Sequence, residues 1–415
     1  MRIAFFVWEY PPRLVGGLGT YAYEITKQYV KLGHDVTVFT MNDGSLKTKE
    51  EINGVEVHRP LLIDLTDALP EALLGEFRDW IMGTKFFSDI FLYNVLSASK
   101  LCNELVLKDN RQYDVVSVHD WLSVIAGISS KRSLNLPMVF HVHSTERGRT
   151  LGNGLRIIEE LEAKGARYAN AIITVSHAMA NELRSLGFPE DKLYVVWNGV
   201  DPSKYNPKNI SNEERENLRM NYGLRQEDPM ILFIGRLIEA KGVDRLVKAM
   251  AYVSKESPKT KLIIVGKGPM LPYLIELARS LKIDKNVIFR AEMLPEKDRI
   301  LHYAAADICV FPSLYEPFGI VALEALSMEK PVVVGVRGTS GLGEIVIPSG
   351  RLQCGIHVNP YNPMDIAQAI IDLINNPDLR LKFGKNGRRR IIREFTWEKA
   401  AERTLRIYQK VISEK

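Results

Sequence analysis

The sequence has little cysteine: Cys102, Cys309 and Cys354 are the three in 415 residues. They are far apart and match no zinc-ligand spacing, so we expect buried thiols in a reducing compartment, and hence a cytoplasmic protein. No run of 18 consecutive apolar residues occurs, so we expect no transmembrane segment. The first apolar run, within Met1–Val7, is too short for a signal peptide, and no cleavage site follows it.

The charge balance is nearly even, with 55 basic and 50 acidic residues and a formal net charge of +5. So small an excess in a chain of this length gives no reason to expect a nucleic-acid partner, although a modestly positive cleft would suit an anionic substrate. The hydrophobic content of 46% and the charged content of 25% are those of a globular protein.

At 415 residues the chain is too long for one ordinary hydrophobic core, so we expect two domains. Short apolar runs alternate with helical periodicity in both halves, which predicts an α/β protein with parallel sheets. We expect two Rossmann-like, doubly wound domains facing a cleft, residues 1–205 and 206–396, with a linker over residues 198–229. The last helix, residues 397–415, is expected to pack back on the first domain. The predicted strands are Ile3–Val7, His34–Thr40, Asp114–Val118, Pro137–Val142, Ala171–Val175, Leu193–Trp197, Met230–Ile234, Lys261–Val265, Asn286–Arg290, Asp307–Phe311 and Pro331–Val334.

A glycine-rich turn, Gly16-Gly17-Leu18-Gly19, follows the first predicted strand and precedes a helix that reaches Lys31. Adjacent glycines let backbone N–H groups approach a phosphate, and a flexible turn is the alternative interpretation. The turn is not the G-x-G-x-x-G fingerprint. Neither half combines that fingerprint with an acidic residue about 20 residues further on, so a nicotinamide-dependent oxidoreductase is disfavoured.

The segment after Asp307–Phe311 is predicted to turn into a helix. Pro317 is placed in its first turn and Glu316 at its cap, with Gly319 leaving the free backbone N–H groups open to an anion. Glu316 and Glu324 would then stand roughly 12 Å apart and within about 80° of one face. Two carboxylates so placed would bind hydroxyl groups on either side of a diphosphate. Two solvated glutamates are the alternative.

Polar side chains also follow several other predicted strands. Asp120 and His143 follow two strands of the first half, and Arg236 and Lys241 flank a strand-to-helix loop of the second half. The carboxyl ends of parallel strands line the crevice where open α/β sheets bind ligands. Cations in such a loop would close on phosphates. The alternatives are a structural histidine and two solvated cations.

Two further segments receive structural interpretations. Arg388-Arg389-Arg390 is assigned to a solvated helix face. The long segment Asp64–Asn110 is predicted to be mainly helical. Its aromatic residues are assigned to the core rather than to an acceptor platform: Phe77, Trp80, Phe86, Phe87, Phe91 and Tyr93.

Together these motifs resemble those of GT-B glycosyltransferases, and the resemblance covers essentially the whole chain. It is closest to the retaining glycogen and starch synthases and their group 1 relatives. The motif from Glu316 to Glu324 is highly specific for that superfamily. Bacterial glycogen synthases carry a lysine before the paired glycines, where this chain has Val15, which leaves the donor and the glycogen assignment open. The motifs that carry the resemblance are Val15-Gly16-Gly17-Leu18, His119-Asp120-Trp121, His143, Asn198-Gly199-Val200-Asp201, Gly235-Arg236 with Lys241, Glu292-Met293-Leu294 and Glu316–Glu324.

The resemblance implies a nucleotide-sugar donor (an ADP- or UDP-sugar) and a saccharide acceptor, with α-glucan as one candidate. It implies that Arg236 and Lys241 neutralise the diphosphate, that Glu316 holds hexose hydroxyls, and that His143 approaches the reacting sugar face. We expect no metal or other cofactor, because preplaced donors can stabilise the leaving diphosphate and no Asp-x-Asp motif stands at a strand end.

The remaining implied contacts bind substrate. Gly17 would offer its N–H to the diphosphate, with Gly16 as a further substrate contact, Asp120 would line the acceptor side, and Glu324 would bind the ribose hydroxyls. The other implied contacts are Met293 and Leu294 along the base, Phe318 and Gly319 at the hexose, and Ile320 and Val321 at a phosphate.

Several activities on this fold stay open. The acceptor is a glucan, a small sugar as in sucrose and trehalose synthesis, or a glycolipid. A sugar-nucleotide 2-epimerase would release no free nucleotide, and a binding module would carry no chemistry. Measuring nucleotide release with and without α-glucan separates these alternatives.

Overall fold

Two β-sheets interleaved with helices form the two halves of the molecule, and the computed structural model describes residues 1–64 and 83–414. The arrangement confirms the predicted α/β class with two Rossmann-like domains. Each strand that was predicted from the sequence is present, and its ends differ from the prediction by at most two residues.

The first sheet has eight strands in the described residues. Their bounds are Arg2–Phe6 (β1), Asp35–Phe39 (β2), Lys49–Ile52 (β3), Val55–His58 (β4), Val115–His119 (β5), Met138–Val142 (β6), Ala171–Thr174 (β7) and Leu193–Val195 (β8). They lie in the order β3-β4-β2-β1-β5-β6-β7-β8, and all pairs are parallel except β3 with β4.

The second sheet has six strands in the described residues. Their bounds are Met230–Ile234 (β9), Lys261–Val265 (β10), Val287–Arg290 (β11), Ile308–Phe311 (β12), Val332–Gly335 (β13) and Gly355–Val358 (β14). Their order is β11-β10-β9-β12-β13-β14, and every pair is parallel. The carboxyl ends of β9 and β12, next to each other, therefore open on one edge of the sheet.

Helices connect the strands in both domains. In the first domain they are Gly17–Lys31 (α1), Gly83–Ser99 (α2, continued by a π-helical segment Lys100–Lys108), Val124–Leu134 (α3), Glu146–Arg149 (α4), Arg156–Tyr168 (α5) and His177–Ser185 (α6). The helices that follow the first domain in the sequence are Asn212–Asn221 (α7), Val243–Glu256 (α8), Leu271–Ser280 (α9), Glu296–Ala305 (α10), Ile320–Ser327 (α11), Leu342–Ile345 (α12), Pro363–Asn375 (α13), Pro377–Glu394 (α14) and Trp397–Ser413 (α15).

Strands β3, β4 and β14 were missed in the sequence. The β3–β4 hairpin turns at Asn53 and Gly54, which have φ angles of 52° and 80°. An Asn-Gly pair between short alternating runs is a strong hairpin signal, because both residues tolerate positive φ. The information for this hairpin was therefore present locally.

The prediction of a linker over residues 198–229 is wrong, because α7 lies inside it. Ser211 and Glu214 cap this helix reciprocally, which is the capping-box arrangement. The Arg219 guanidinium donates to the carbonyl of Ala305 at 2.7 Å and pairs with Asp307 at 3.0 Å. Both partners lie just before β12, so the helix is fastened to the second sheet.

In the residues that the structure describes, the chain crosses between the domains twice, and the two crossings lie side by side. The N–H of Val200 donates to the carbonyl of Phe395 at 3.0 Å, and Val200 forms a parallel bridge with Thr396. A Cβ added at Gly199 would lie 2.2 Å from the backbone nitrogen of Trp397, so only glycine allows this approach. After the second crossing α15 packs against α1 in the first domain.

Of the three arginines of α14 predicted to form a solvated face, Arg389 is exposed, whereas Arg388 and Arg390 are half-buried and bonded to the protein. Arg388 donates to the carbonyls of Tyr205 at 2.9 Å and Pro202 at 3.1 Å, next to the first crossing. Arg390 donates to the carbonyl of Ile345 at 2.9 Å. The guanidinium groups thus satisfy backbone carbonyls and hold α14 against the second domain.

One helical stretch of the described residues, Lys85–Lys108, has the length and composition of a possible membrane span, and half of its most apolar window is buried inside the protein. The core helices of soluble proteins pass the same test. Of the aromatic residues assigned to the core, Tyr93 is buried, Phe91 is 47% exposed, and Phe77 and Trp80 lie outside the described residues. The three cysteines are free and buried, which confirms that prediction.

Candidate functional site

Strands β5 and β6 are neighbours, and their carboxyl ends place Asp120 against His143. A carboxylate oxygen of Asp120 accepts the backbone N–H of His143 at 2.7 Å. Asp120 has a φ of 55°, which turns the chain away from the strand at this point. Burial raises the pKa of Asp120 to about 7 and lowers that of His143 to about 3. The His143 imidazole is therefore neutral near pH 7.

His143 belongs to a stack of three imidazoles with His119 and His141, whose nitrogens lie within 4.8 Å of one another. The ring planes are inclined by only 14° to 28°, and His119 Nδ1 is 3.2 Å from His143 Nε2. Imidazole lone pairs lie in the ring plane, so those of nearly parallel rings do not converge on one point as metal coordination requires. The hydrogen bond between His119 and His143, with His141 stacked on His119 at a centroid distance of 4.3 Å, accounts for the arrangement.

The glycine turn before α1 holds a carboxylate of the protein itself. A single oxygen of Glu9 accepts the N–H of Val15 at 2.9 Å and the N–H of Gly16 at 3.0 Å. The turn thus binds an anionic group with backbone N–H groups, as expected of paired glycines. The Gly16 N–H assigned to substrate is nevertheless bonded to Glu9, a residue that the sequence interpretation missed.

The helix that carries Glu324 begins later than predicted. Its first residue is Ile320, and its cap is Gly319, with a φ of 107° that favours glycine. Glu316 and Pro317 therefore lie outside the helix. The reason is tertiary: Glu316 pairs with Ser340 in a parallel bridge, which keeps its backbone extended. The free N–H groups of the helix belong to its first residues, among them Ile320 and Val321.

The half-buried Lys241 forms an ion pair with the buried Glu316. Lys241 ends a short helical turn after β9 and lies 2.6 Å from Glu316, which also accepts a hydrogen bond from Ser313 at 3.1 Å. Glu316 is 7% exposed. Arg236 follows the same strand but is exposed and makes no ion pair with a residue that the structure describes. It is therefore a cation available to a ligand.

Glu324 is not a solvated glutamate. It is 4% exposed and accepts hydrogen bonds at 2.8 Å from the hydroxyls of Tyr205 and Tyr303. The guanidinium of Arg299 lies 3.5 Å away. Glu324 also lines a pocket between the domains together with Ile320. Its three side-chain partners were not identified from the sequence.

The other expected substrate contacts divide by exposure. Met293 is 52% exposed and Leu294 is 9% exposed, in the loop before α10. Phe318 is 3% exposed and lies in the loop before α11. Met293 is thus accessible to a planar base, whereas Phe318 offers its backbone rather than its ring.

The two domains touch at the expected anion sites. A Cβ added at Gly17 would lie 3.8 Å from Cδ1 of Ile320, so the glycine turn of one domain faces the start of α11 in the other. Glu344 reinforces this contact, because its carboxylate accepts the N–H of Ala178 and Nε1–H of Trp197, both at 2.8 Å. The expected residues of the two halves therefore share one cleft.

Tyr315, which precedes Glu316, crosses from the second domain into the first. Its hydroxyl accepts the backbone N–H of Thr145 at 3.2 Å and lies 3.3 Å from the carboxylate of Glu182. Its ring lies directly over Gly148. Nothing in the sequence around Tyr315 indicates that this residue contacts the first domain.

Comparisons with known proteins agree with this geometry. Residues 15–204 match the family model "Glycosyltransferase Family 4", and residues 214–390 match "Glycosyl transferases group 1". The chain is 34% identical over 413 residues to an uncharacterised glycosyltransferase of Methanocaldococcus jannaschii, covering 99% of this chain and 98% of the relative. It is 29% identical to glycogen synthase of Mycobacterium tuberculosis, covering 98% and 94%. Sucrose-phosphate synthase of Thermosynechococcus elongatus superposes with a TM-score of 0.79 at 22% identity, covering 100% of both chains.

Proposed function

This chain belongs to the group 1 glycosyltransferases, which use nucleotide-sugar donors, and we propose that it transfers glucose, with retention of configuration, from ADP- or UDP-glucose to an α-glucan. Similarity to a glycogen synthase along nearly the whole chain supports this choice of sugar and acceptor.

One observation carries the proposal: Gly17 of the first domain faces Ile320 of the second across the cleft. Each of these residues stands at the N-terminus of a helix, where free N–H groups and the helix dipole favour an anion. Two such N-termini meeting across a cleft are suited to a diphosphate, which carries charge at both phosphorus centres. Displacement of Glu9 from the glycine turn would free the N–H of Gly16 for the same group.

The charge that develops on the departing diphosphate is stabilised by preplaced donors. Arg236 and Lys241 supply the two cations, and Glu316, paired with Lys241, accepts hydroxyls of the hexose. His143 is neutral and orients the sugar rather than attacking it. Retention then follows from attack on the same face that the leaving group departs from, assisted by the leaving phosphate. With these cations in place the proposed reaction uses no metal.

The nucleoside occupies the other end of the cleft in this proposal. Glu324, already held by two tyrosine hydroxyls, accepts the ribose hydroxyls, and the exposed Met293 lies along the base with Leu294 behind it. Asp120 lines the acceptor side. We propose that the protein is cytoplasmic, and its three free, buried thiols support a reducing compartment.

The experiment incubates the purified protein with a panel of nucleotide sugars and measures nucleotide release with and without α-glucan. Release from a glucose donor that depends on glucan supports the proposal. Release that depends on another acceptor identifies a different transferase, and a changed sugar nucleotide without release identifies an epimerase. No turnover of any donor contradicts the assignment of an active transferase.

Arg236→Ala is the sharpest variant, because Arg236 is exposed and makes no ion pair in the described structure. Its loss should lower turnover by about 2–4 kcal/mol of transition-state stabilisation while leaving thermal stability unchanged. Lys241→Ala is less clean, since it leaves the buried carboxylate of Glu316 without its cation. Arg389→Ala, at another exposed arginine of the second domain that makes no ion pair with a described residue, is the matched control.

A further inference from the structure

A continuous chain of hydrogen bonds links the C-terminal helix α15 to His143. The hydroxyl of Tyr408 lies 2.6 Å from Ser117 Oγ and 2.8 Å from His141 Nε2. Ser117 Oγ lies 2.8 Å from His119 Nε2, and His119 Nδ1 lies 3.2 Å from His143 Nε2. Four bonds thus connect His141 to His143 through groups that are buried in the first domain.

The three imidazoles of this chain are neutral. Burial lowers the pKa of His119 and His141 well below the ordinary value, and lowers that of His143 to about 3. A neutral imidazole has one N–H donor and one bare nitrogen. A ring that donates a hydrogen bond at one nitrogen must therefore accept one at the other. Once the donor and the acceptor of one hydrogen bond in this series are known, those of all the others follow.

The hydroxyl groups around His141, at one end of the hydrogen-bonded series, determine which groups donate. Two tyrosine hydroxyls contact His141, Tyr408 at 2.8 Å on Nε2 and Tyr21 at 3.3 Å on Nδ1. A phenol is a good donor, yet neutral His141 can accept at only one nitrogen. The shorter bond is the one expected of O–H donation, so Tyr408 donates to Nε2, and Nδ1–H of His141 donates to Tyr21.

With Tyr408 donating to His141, its oxygen accepts from Ser117, and Ser117 accepts from Nε2–H of His119. His119 Nδ1 then accepts from Nε2–H of His143. The other ring nitrogen of His143, Nδ1, is left bare, and it makes no hydrogen bond to a residue in the described ranges. A bare Nδ1 accepts a hydrogen bond and cannot donate one.

We propose that Tyr408 is a positioning residue that sets the tautomer of His143 through this chain, so that Nδ1 of His143 accepts a hydrogen bond from a hydroxyl of the donor sugar. The assignment of the sugar rests on the proposed function, whereas the tautomer does not. Tyr408, which is distant from His143 in the sequence, thereby determines whether Nδ1 of His143 accepts or donates a hydrogen bond.

The tautomer is tested directly by nuclear magnetic resonance of the full-length protein labelled with ¹⁵N at histidine, without substrate. Protonated and bare ring nitrogens of a neutral imidazole resonate in well-separated regions. The wild type should show a bare Nδ1 and a protonated Nε2 for His143, assigned by the loss of its signals in His143→Gln. In Tyr408→Phe the two nitrogens of His143 should shift towards each other, because the chain no longer has a fixed direction.

Ser117→Ala interrupts the chain at a second point and should give the same nitrogen shifts. Tyr113→Phe is the matched control, because it removes another buried tyrosine hydroxyl of the same domain, bonded to Thr37 at 3.0 Å but outside the chain. A bare Nε2 in the wild type would overturn the proposal. So would His143 signals that stay unchanged in both chain variants, or that move equally in the control.

Kinetics test the consequence for the sugar. Tyr408→Phe should raise the KM for the nucleotide sugar about tenfold, the value of one ordinary hydrogen bond, with kcat changed less than about threefold. Inhibition by the free nucleoside diphosphate, which lacks the sugar, should stay the same. A general distortion of the cleft would weaken both ligands equally and overturn the sugar contact. If no nucleotide sugar is turned over, the proposed function fails, while the nitrogen signals still decide the tautomer.

Discussion

The contact between Tyr315 and Gly148 can be tested by a single methyl group. In Gly148→Ala the added Cβ would lie 2.2 Å from ring atoms Cε2 and Cζ of Tyr315 and 2.4 Å from its hydroxyl oxygen. Ordinary contact begins at 3.4 Å, so the ring must retreat by 3.4 − 2.2, or about 1.2 Å. The ring is only 6% exposed and is held by the N–H of Thr145, so it has little free space to move into.

The energetic consequence lies between two limits. Overpacking a buried site costs about 1–3 kcal/mol. Complete expulsion of the ring would expose roughly 150–250 Å² of side chain, or about 4–6 kcal/mol at ~25 cal/mol per Å². We expect a loss of about 2–3 kcal/mol. This corresponds to a fall of roughly 5–10 °C in the midpoint of thermal unfolding for a domain of this size.

Differential scanning calorimetry measures the loss, and small-angle X-ray scattering shows whether the domains separate. Tyr315→Leu in the Gly148→Ala background removes the clashing ring atoms, so the double variant should lose less than the sum of the two single variants. A Gly148→Ala protein that unfolds within about 1 °C of the wild type, with an unchanged radius of gyration, would refute the reasoning.

Two further changes probe carboxylates, the half-buried Glu344 and the buried Glu162. Glu344→Gln presents an amide NH2 group to one of its two donors, the N–H of Ala178 or of Trp197, and should lower the free energy of unfolding by about 1–3 kcal/mol; an unchanged denaturant midpoint would contradict this role. Burial raises the pKa of Glu162 to about 8 from its ordinary 4.5. The contribution of the neutral carboxyl group to the free energy of unfolding is therefore complete below pH 4.5 and is lost as the pH rises towards 8. Glu162→Gln should therefore gain stability relative to the wild type across that range, by at most about 5 kcal/mol, whereas the exposed Glu160→Gln should show a flat difference.

The parallel strands were predictable because their signal is local. Met230–Ile234 is an apolar run buried on both faces, as is Lys261–Val265 after its first residue, and the structure matches both to the residue. The α7 helix was missed because its sequence is mostly polar, and because its main anchor, Arg219, binds the carbonyl of Ala305 and the carboxylate of Asp307, both far away in the chain. The Ser211 and Glu214 capping box was the local signal available.

The start of α11 shows how tertiary structure overrides a local preference. A proline in the first turn after a capping residue favours a helix from Pro317. The bridge between Glu316 and Ser340 holds the chain extended there instead, and Ser340 lies on a different connection of the sheet. Likewise the sequence marks Lys241 and Glu316 as separate candidates, whereas their 2.6 Å ion pair depends on β9 lying beside β12.

The paired crossings at Val200 and Thr396 restrict how the cleft can open. A single covalent connection would let one half swivel freely, but two connections joined by a backbone hydrogen bond leave mainly rotation about one axis through the pair. Gly17 and Ile320 would then separate and meet again along the same arc in every cycle. Because α15 follows directly after this hinge and packs on the first domain, it would move together with that domain. The distance between Tyr408 and His141 would then stay constant.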